Sequence, residues 1–464
     1  MMSLLLILPV FFGLLGLNLL SITNHVYSVT NRCNGNQCEQ PIIYDPTLKV
    51  EMIFQTNFKF ERNSLSPVSS MTFVGPDEIL LLDKNNGVVY RVLNNSLIAD
   101  PILDVSVANE RERGLLGIEV TKNINNLTYV YLYYTESEKN DGNDVCPTKW
   151  YSDAFHCIPE YEPLGNRFYK YELKDNKLIN PKLLLDLPAA PSPTHNGGVV
   201  KIGPDNNLYV TIGDLLGSTS FNSSTKAQNL NGTDPDGRSG ILRITKDDTP
   251  VGSGIIGSSY PVNLYYAYGM RNSFGIDFDP VTGNLWDTEN GPEYGDEVNL
   301  VKPGFNSGWE IIQGIWEPIV NTQSNESDLI AGKELLNPGN RLIDFQGSGI
   351  YSKPEFIWKF IVGPTAIKFL DSHRLGIKYE NDLFIGSVSG RIFHFDLTED
   401  RTSLRLSGLL KDDIADTMDE LKDITFVEGL GLVTDIDVGP DGYLYVLCDY
   451  KDKVTIFRIR PNID

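Results

Sequence analysis

The chain of 464 residues has few basic residues, little helical periodicity and no common nucleotide motif. Lys and Arg number 39 against 61 Asp and Glu, so the formal net charge is −22. This deficit argues against nucleic acid and anionic membrane surfaces as partners, because phosphate groups bind basic surfaces. Neither a P-loop nor a glycine-rich dinucleotide fingerprint between a strand and a helix is present. The best helical candidate is the short acidic segment 412–423, so we expect an all-β fold.

Cysteine is also scarce, with five in the whole chain. Cys33 and Cys38 lie close together, Cys146 and Cys157 bracket a polar loop, and Cys448 lies in an apolar strand. Their spacings match no zinc site. They predict two short-range disulfides and one buried thiol, which is typical of an exported protein.

Only one long apolar run occurs, at residues 1–20, and polar residues with a small residue at Ser28 follow it. This pattern predicts a secretory signal or an N-terminal membrane anchor over 1–28, although no basic residue precedes the run. A buried first helix is the alternative. We expect residues 29–50 to form a polar lead-in closed by a disulfide. We expect a secreted or extracytoplasmic protein.

The rest of the chain repeats a turn followed by a short apolar strand. Each copy joins Gly, Pro, Asp or Asn to residues of high β propensity. The six copies are Gly75–Lys84, Asn126–Thr135, Gly203–Asp214, Asp279–Gly291, Tyr379–Gly390 and Gly439–Tyr450. Six copies predict a six-bladed β-propeller of four-stranded antiparallel blades over 51–464, with a β-sandwich or another blade number as alternatives. Ligand-binding residues should then be scattered in sequence and meet at one mouth of the central channel.

Two motifs carry candidate chemistry. In the first, PTHNGGVVKIGPDNNLYVTIGD, a hairpin would return Asp214 to His195. A carboxylate beside an imidazole fixes its tautomer, as a general base requires. The alternative is a loop histidine and a turn aspartate without catalytic roles.

The second motif runs from Ala267 to Trp309 and places Arg271 and Asn272 in a turn, where they could hold a planar, oxygen-rich ligand. Clustered carboxylates and turn carbonyls around Gly291 and Pro292 suit Ca²⁺, although a solvated acidic loop is the alternative.

Taken together, these segments resemble the soluble glucose/sorbosone dehydrogenase family of six-bladed propellers that use pyrroloquinoline quinone (PQQ) and Ca²⁺. The similarity runs from Phe54 to Pro461 and includes ERGLLGIEV, HNGGVVKIGPDNNLYVTIGD, YGMRNSFGIDFDPVTGNLW, ENGPEYGDEVNLVKPGFNSGW and DIDVGPDGYLYVL.

The resemblance assigns roles residue by residue. It implies that His195 is the general base and Asp214 its supporting carboxylate. Arg271 and Asn272 match positions that contact the quinone, with Arg271 also stabilising a developing oxyanion. The carbonyls of Gly291 and Pro292 match ligands of the Ca²⁺ that touches the cofactor. Glu297 matches a carboxylate associated with a further, structural calcium.

The chain departs from the family pattern at four positions. The family has a glutamine where this chain has Phe274, a lysine at Ser389, and arginines at Leu432 and Thr434. These cations would face a cofactor with three carboxylates. Other basic residues could replace them, and the candidates are Lys353, Lys359, Lys368 and Arg391.

Two main functions follow from the sequence. The first is a secreted quinoprotein dehydrogenase that oxidises a sugar or related alcohol and passes electrons to an external acceptor. The second is a propeller without cofactor that binds a carbohydrate or protein outside the cell. A hydrolase such as a lactonase is a third possibility, since that activity also occurs on Ca²⁺-binding propellers.

Overall fold

The computed structural model describes residues 40–57, 66–122, 127–138, 163–215, 225–228, 230–320 and 329–462. The apolar segment 1–28 and the two cysteine pairs, Cys33 with Cys38 and Cys146 with Cys157, lie outside these ranges. In the described ranges, no helix is long and apolar enough to cross a membrane.

The described elements are almost all strands. The strands are β1 (Ile42–Ile43), β2 (Leu48–Gln55), β3 (Val68–Gly75), β4 (Glu78–Asp83), β5 (Val88–Leu93), β6 (Ser96–Asp104), β7 (Leu115–Lys122), β8 (Thr128–Glu136), β9 (Gly165–Lys174), β10 (Lys177–Leu187), β11 (Val200–Ile202), β12 (Leu208–Ile212), β13 (Gly240–Ile244), β14 (Tyr265–Tyr268), β15 (Ser273–Phe278), β16 (Leu285–Glu289), β17 (Asp296–Val301), β18 (Phe305–Asn306), β19 (Trp316–Val320), β20 (Leu329–Glu334), β21 (Ile350–Tyr351), β22 (Phe356–Trp358), β23 (Pro364–Phe369), β24 (Leu383–Ser387), β25 (Ile392–Phe395), β26 (Ile414–Ala415), β27 (Thr425–Glu428), β28 (Leu432–Val438), β29 (Leu444–Tyr450) and β30 (Lys453–Pro461).

Helices are few and short in the same ranges. They are the single-turn α1 (Leu421–Ile424) and four 3₁₀ turns, Val262–Leu264, Gly339–Arg341, Ile377–Tyr379 and Gly408–Asp412. The helical candidate at 412–423 therefore forms a helix only at its end, and Ile414–Ala415 within it forms β26.

Six sheets of four or more strands form the blades. Their four-stranded cores are β3–β6, β7–β10, β11–β14, β15–β17 with β22, β23–β25 with β27, and β28–β30 with β2. Pairing within each core is antiparallel. Short strands extend three blades at their outer edges, and β19 and β20 form a separate hairpin.

The repeated turn positions the strands. In the last copy Asp441 Oδ1 accepts from the Tyr443 backbone N–H at 3.2 Å, and Gly442 has a φ of +80°. An aspartate that closes its own turn, followed by a residue at positive φ, is a common way to reverse a strand. The copy at 203–207 has the same Asp turn, at Asp205.

The ring closes through its ends. The innermost strands contact each other in the order β3, β7, β11, β15, β23 and β28, and β28 contacts β3 again. The last blade takes its outer strand from the start of the chain, since Leu48 pairs with Pro461. The predicted six-bladed propeller is thus confirmed, and the sandwich alternative is excluded.

The cores lie between blades. One buried cluster joins Met71 and Leu81 of the first blade to Leu447 and Ile456 of the last. The free thiol of Cys448 is fully buried in a neighbouring cluster, as predicted, and burial raises its pKa. Because burial of each large apolar side chain contributes roughly 1.5–3 kcal/mol, these contacts hold the inner strands in place around the axis.

Candidate active site

A cavity of about 460 Å³ follows the axis of the propeller. Every blade contributes to its lining through the innermost strand or the loop before it. These inner-strand lining segments are 68–72, 116–119, 199–202, 274–277, 365–368 and 434–437. The end at which inner strands begin is called the mouth here, and it is lined by Lys84, Glu112, His195, Arg271, Asn272, Asn290, Val388 and Leu432. Residues from distant parts of the sequence therefore meet at one point, as a propeller requires.

His195 and Asp214 are in direct contact at the mouth. His195 Nδ1 lies 2.5 Å from Asp214 Oδ1, which confirms their predicted proximity. Asp214 is fully buried, and its other oxygen accepts from Trp309 Nε1 at 2.8 Å. His195 has a φ of +60°, an uncommon conformation for a side chain of this size. The contact with Asp214 fixes the ring and leaves Nε2 as the nitrogen that can exchange a proton in the cavity.

Glu112 fixes the backbone of the histidine loop. Its Oε2 accepts from the His195 backbone N–H at 2.6 Å and from Asn272 Nδ2 at 3.4 Å. One carboxylate thus ties together the loops that precede three inner strands. Glu112 belongs to the ERGLLGIEV segment, but the sequence did not indicate this role.

Arg271 lies beside the histidine across Gly213. A Cβ on Gly213 would lie 2.6 Å from both His195 O and Arg271 O, so only glycine allows this approach. The guanidinium lies 5.5 Å from the Trp309 ring centre and donates to Asn290 O at 2.9 Å and to Gly291 O at 2.8 Å. Burial lowers its pKa, but arginine stays charged in proteins, so Arg271 is a desolvated cation at the mouth.

Buried carboxylates hold the backbone of Gly291 and that of Arg271. The backbone N–H of Gly291 donates to Asp296 Oδ1 at 2.9 Å. The backbone N–H of Arg271 donates to Glu289 Oε1 at 2.6 Å. Burial raises the pKa of Asp296 to about 6, although three backbone N–H groups oppose the shift, and raises that of Glu289 to about 7. Pro292 is half-buried beside Gly291.

Glu297 has other partners. Its carboxylate accepts from Gln313 Nε2 at 2.9 Å, Asn299 Nδ2 at 3.1 Å and the Gly314 N–H. Burial is the main reason that the pKa of Glu297 is raised well above its usual range, and the negative charge of Glu289 is the second. Among the described residues, none of its recorded hydrogen bonds goes to Gly291 or Pro292. No three His, Cys, Asp or Glu side chains in those ranges form a group that could hold a metal ion.

Two amide oxygens at the mouth are buried without a partner in the described ranges, Asn272 Oδ1 and Asn290 Oδ1. An unsatisfied buried acceptor costs roughly 1–3 kcal/mol. Beside them lies Gly291 O, which already accepts from Arg271. Carbonyl oxygens are suitable ligands for Ca²⁺. A metal ion on Gly291 O would lie next to the guanidinium, and an anionic ligand between them would relieve the repulsion. This side of the mouth therefore fits a Ca²⁺-bound anionic cofactor.

Part of the lining is uncharged. Phe274, Val388, Leu432 and Thr434 line the cavity there, and Ser389 is buried in a 2.6 Å hydrogen bond with Ser387. The family pattern would place a glutamine at Phe274 and cations at Ser389, Leu432 and Thr434.

The suggested replacement cations lie elsewhere. Lys353 and Lys359 are exposed and pair with Asp413 at 3.1 Å and Asp416 at 3.9 Å. Arg391 lies 3.8 Å from Glu428.

Lys368 does line the cavity, but towards its other end. It pairs with Asp437 at 3.2 Å and Asp277 at 3.9 Å. Burial favours a lower pKa for Lys368, but these carboxylates outweigh it and raise the pKa. Lys368 is therefore already neutralised within the protein.

The sequence profile of the family described as "Glucose / Sorbosone dehydrogenase" matches residues 66–458. The chain belongs to the glucose/sorbosone dehydrogenase family. It is 30% identical over 260 residues to quinoprotein glucose dehydrogenase B of Acinetobacter calcoaceticus, covering 52% of this chain and 49% of that protein. It is 25% identical over 278 residues to aldose sugar dehydrogenase YliI of Escherichia coli, covering 60% and 62%. The chain thus spans about half to three fifths of the length of these relatives.

Solved structures of this family have the same fold. The apo form of the soluble aldose sugar dehydrogenase of Escherichia coli has a TM-score of 0.62 at 18% identity, covering 90% of this chain and 100% of that one. The PQQ-bound aldose sugar dehydrogenase of Streptomyces coelicolor has a TM-score of 0.56 at 17% identity, covering 89% and 99%. At these identities the similarity establishes the propeller fold.

Proposed function

We propose that this family member is an exported dehydrogenase that oxidises a hydroxyl group of a sugar or related alcohol, with PQQ and Ca²⁺ as cofactors. The observation that carries the proposal is the contact between His195 and Asp214 at a cavity mouth shared with Arg271. Export is supported by the apolar segment 1–20 and the cysteine spacing. An external electron acceptor completes the reaction.

In the proposed reaction, His195 Nε2 takes the proton of the substrate hydroxyl as a general base. Asp214 stabilises the resulting imidazolium, which it contacts through Nδ1. The carbon bearing the hydroxyl loses a hydride, so the substrate becomes a carbonyl compound. His195 then releases its proton to water at the mouth. Desolvated Arg271 favours negative charge that develops on an oxygen beside it.

The cofactors would be held by residues on the side of the mouth that carries Arg271. Arg271 and Asn272 would contact the quinone, and the carbonyls of Gly291 and Pro292 would bind Ca²⁺. A further calcium associated with Glu297 stays a prediction. When bound, the quinone supplies the two-electron acceptor, and the metal ion polarises its carbonyl.

Turnover and binding test the proposal together. Purified protein with PQQ and saturating Ca²⁺ should reduce a dye in the presence of at least one aldose. His195→Ala should abolish turnover but retain the quinone, because the imidazole acts on the substrate. Absence of quinone binding by calorimetry under saturating Ca²⁺ contradicts the proposal.

The uncharged lining residues Phe274, Leu432 and Thr434 favour one second candidate, a cofactor-less propeller that binds a carbohydrate. Calorimetric binding of a sugar without quinone binding, unchanged in His195→Ala, would support this candidate instead.

A further inference from the structure

Lys84 is a second buried cation at the mouth. It follows β4 directly, is 5% exposed, and lines the cavity together with Glu112 and Arg271. Its ammonium donates to Arg111 O and Arg113 O, both at 2.9 Å. These two carbonyls hold the nitrogen in place and leave one of its three N–H groups for another acceptor.

The charge of Lys84 is not neutralised at short range. Both hydrogen-bond acceptors are neutral, and in the described part of the chain no carboxylate lies within ion-pair distance of Nζ. Glu112 and Asp83 act on it from farther away, and burial lowers its pKa to about 8. A buried charge without a paired charge is costly, so an anion beside Lys84 would be bound favourably.

Other lysines of the cavity differ in this respect. Lys368 is paired with two carboxylates at the other end. Lys201 also lines that end, where Glu119 and Asp435 interact with it. Among the described residues that line the mouth, Lys84 and Arg271 are therefore the two cations.

We propose that the Lys84 ammonium binds a carboxylate of the ligand at the mouth and that this carboxylate belongs to the quinone. The inference rests on the proposed function. It means that Lys84, on the first blade, binds a carboxylate that the cations of the family pattern would otherwise bind. A carboxylated sugar would offer the same group, so the two sources have to be separated experimentally.

The experiment compares anionic and uncharged ligands by calorimetry at saturating Ca²⁺. PQQ carries three carboxylates, whereas 1,10-phenanthroline-5,6-dione is an ortho-quinone with none; glucuronate and glucose form a second pair. Lys84→Met should weaken PQQ binding about 10- to 100-fold, the range for loss of one charge-assisted hydrogen bond, and leave the dione unaffected. Lys84→Arg should retain most of the affinity. Lys201→Met, in the same cavity but far from the mouth, is the matched control and should bind PQQ like the wild type.

The outcomes separate the two proposals. Loss of PQQ affinity in Lys84→Met alone supports the inference with the quinone as source. Lys84-dependent binding of glucuronate without PQQ binding supports carboxylate recognition by Lys84, but overturns the assignment to the quinone and the proposed function. Unchanged affinities in Lys84→Met overturn the inference. If Lys84→Met does not fold, the comparison is made with Lys84→Arg and the wild type. Equal affinity of the wild type for PQQ and for the dione then overturns the inference.

Discussion

Replacing Asp214 by asparagine should prevent His195 from acting as a base without preventing ligand binding. The Asp214 carboxylate contacts two neighbouring rings: His195 Nδ1 lies 2.5 Å from Oδ1, and Trp309 Nε1 donates to Oδ2 at 2.8 Å. An asparagine has one acceptor oxygen and one NH₂ group, so one ring must face the NH₂. The indole is a donor only, whereas the imidazole can change tautomer. The oxygen should therefore face Trp309, and His195 should carry its proton on Nε2.

A histidine protonated on Nε2 cannot take the proton of the substrate. We expect kcat to fall about 10²- to 10⁴-fold, the contribution of general-base catalysis. KM should change little, since Asp214 is fully buried behind the histidine. The assay is dye-linked turnover of an aldose with saturating PQQ and Ca²⁺.

The chain contains a matched control. His394 Nε2 lies 2.7 Å from Asp382 Oδ2, a second His–Asp pair that does not line the cavity. Asp382→Asn should lower stability without changing kcat. Wild-type kcat in Asp214→Asn, or equal loss of kcat in both variants, would refute the reasoning.

Three other predictions concern the same region. Trp309→Phe removes one hydrogen bond from Asp214 but keeps an aromatic ring, so kcat should fall about tenfold, and the lost donor should lower the free energy of unfolding by about 1–3 kcal/mol. Gly291→Ala would place a Cβ 2.0 Å from Tyr294 O, so it should lower the free energy of unfolding by about 1–3 kcal/mol and weaken Ca²⁺ binding, whereas Gly252→Ala, with no atom within 4 Å, should leave Ca²⁺ affinity unchanged. The folded-state pKa values of Glu289 and Asp296, about 7 and 6, lie above the unfolded values of 4.5 and 3.8, so their contribution to stability is complete only below the unfolded values and is lost as pH rises from there through the folded values. Urea unfolding of the metal-free protein should give a free energy of unfolding that is lower at pH 8 than at pH 5, by up to about 3 kcal/mol for Glu289 alone. Equal free energies of unfolding at the two pH values would contradict the raised pKa values.

The sequence was most informative where chemistry is local. Turn residues of the Gly, Pro, Asp or Asn type recur in all six copies, so the strand repeat and the blade number could be predicted. The His195–Asp214 contact was predictable too, because the two residues belong to one hairpin.

Contacts between distant blades could not be predicted in this way. Glu112 reaches His195 and Asn272 only because the loops before three inner strands converge. Lys84 follows an apolar strand in LLLDKNNG, a pattern equally typical of a surface turn. The resemblance also directed attention to cations near Ser389 and Leu432, whereas the structure places a buried cation on the first blade.

The most direct test of the account is an anaerobic single-turnover experiment. The protein is loaded with PQQ and Ca²⁺, mixed with excess aldose, and followed by the absorbance of the quinone. The account predicts that the wild type reduces the bound quinone and that His195→Gln, which still binds it, does not. Equal reduction rates in the two proteins, or a wild type that takes up no quinone, would contradict the central claim that His195 removes the substrate proton at this mouth.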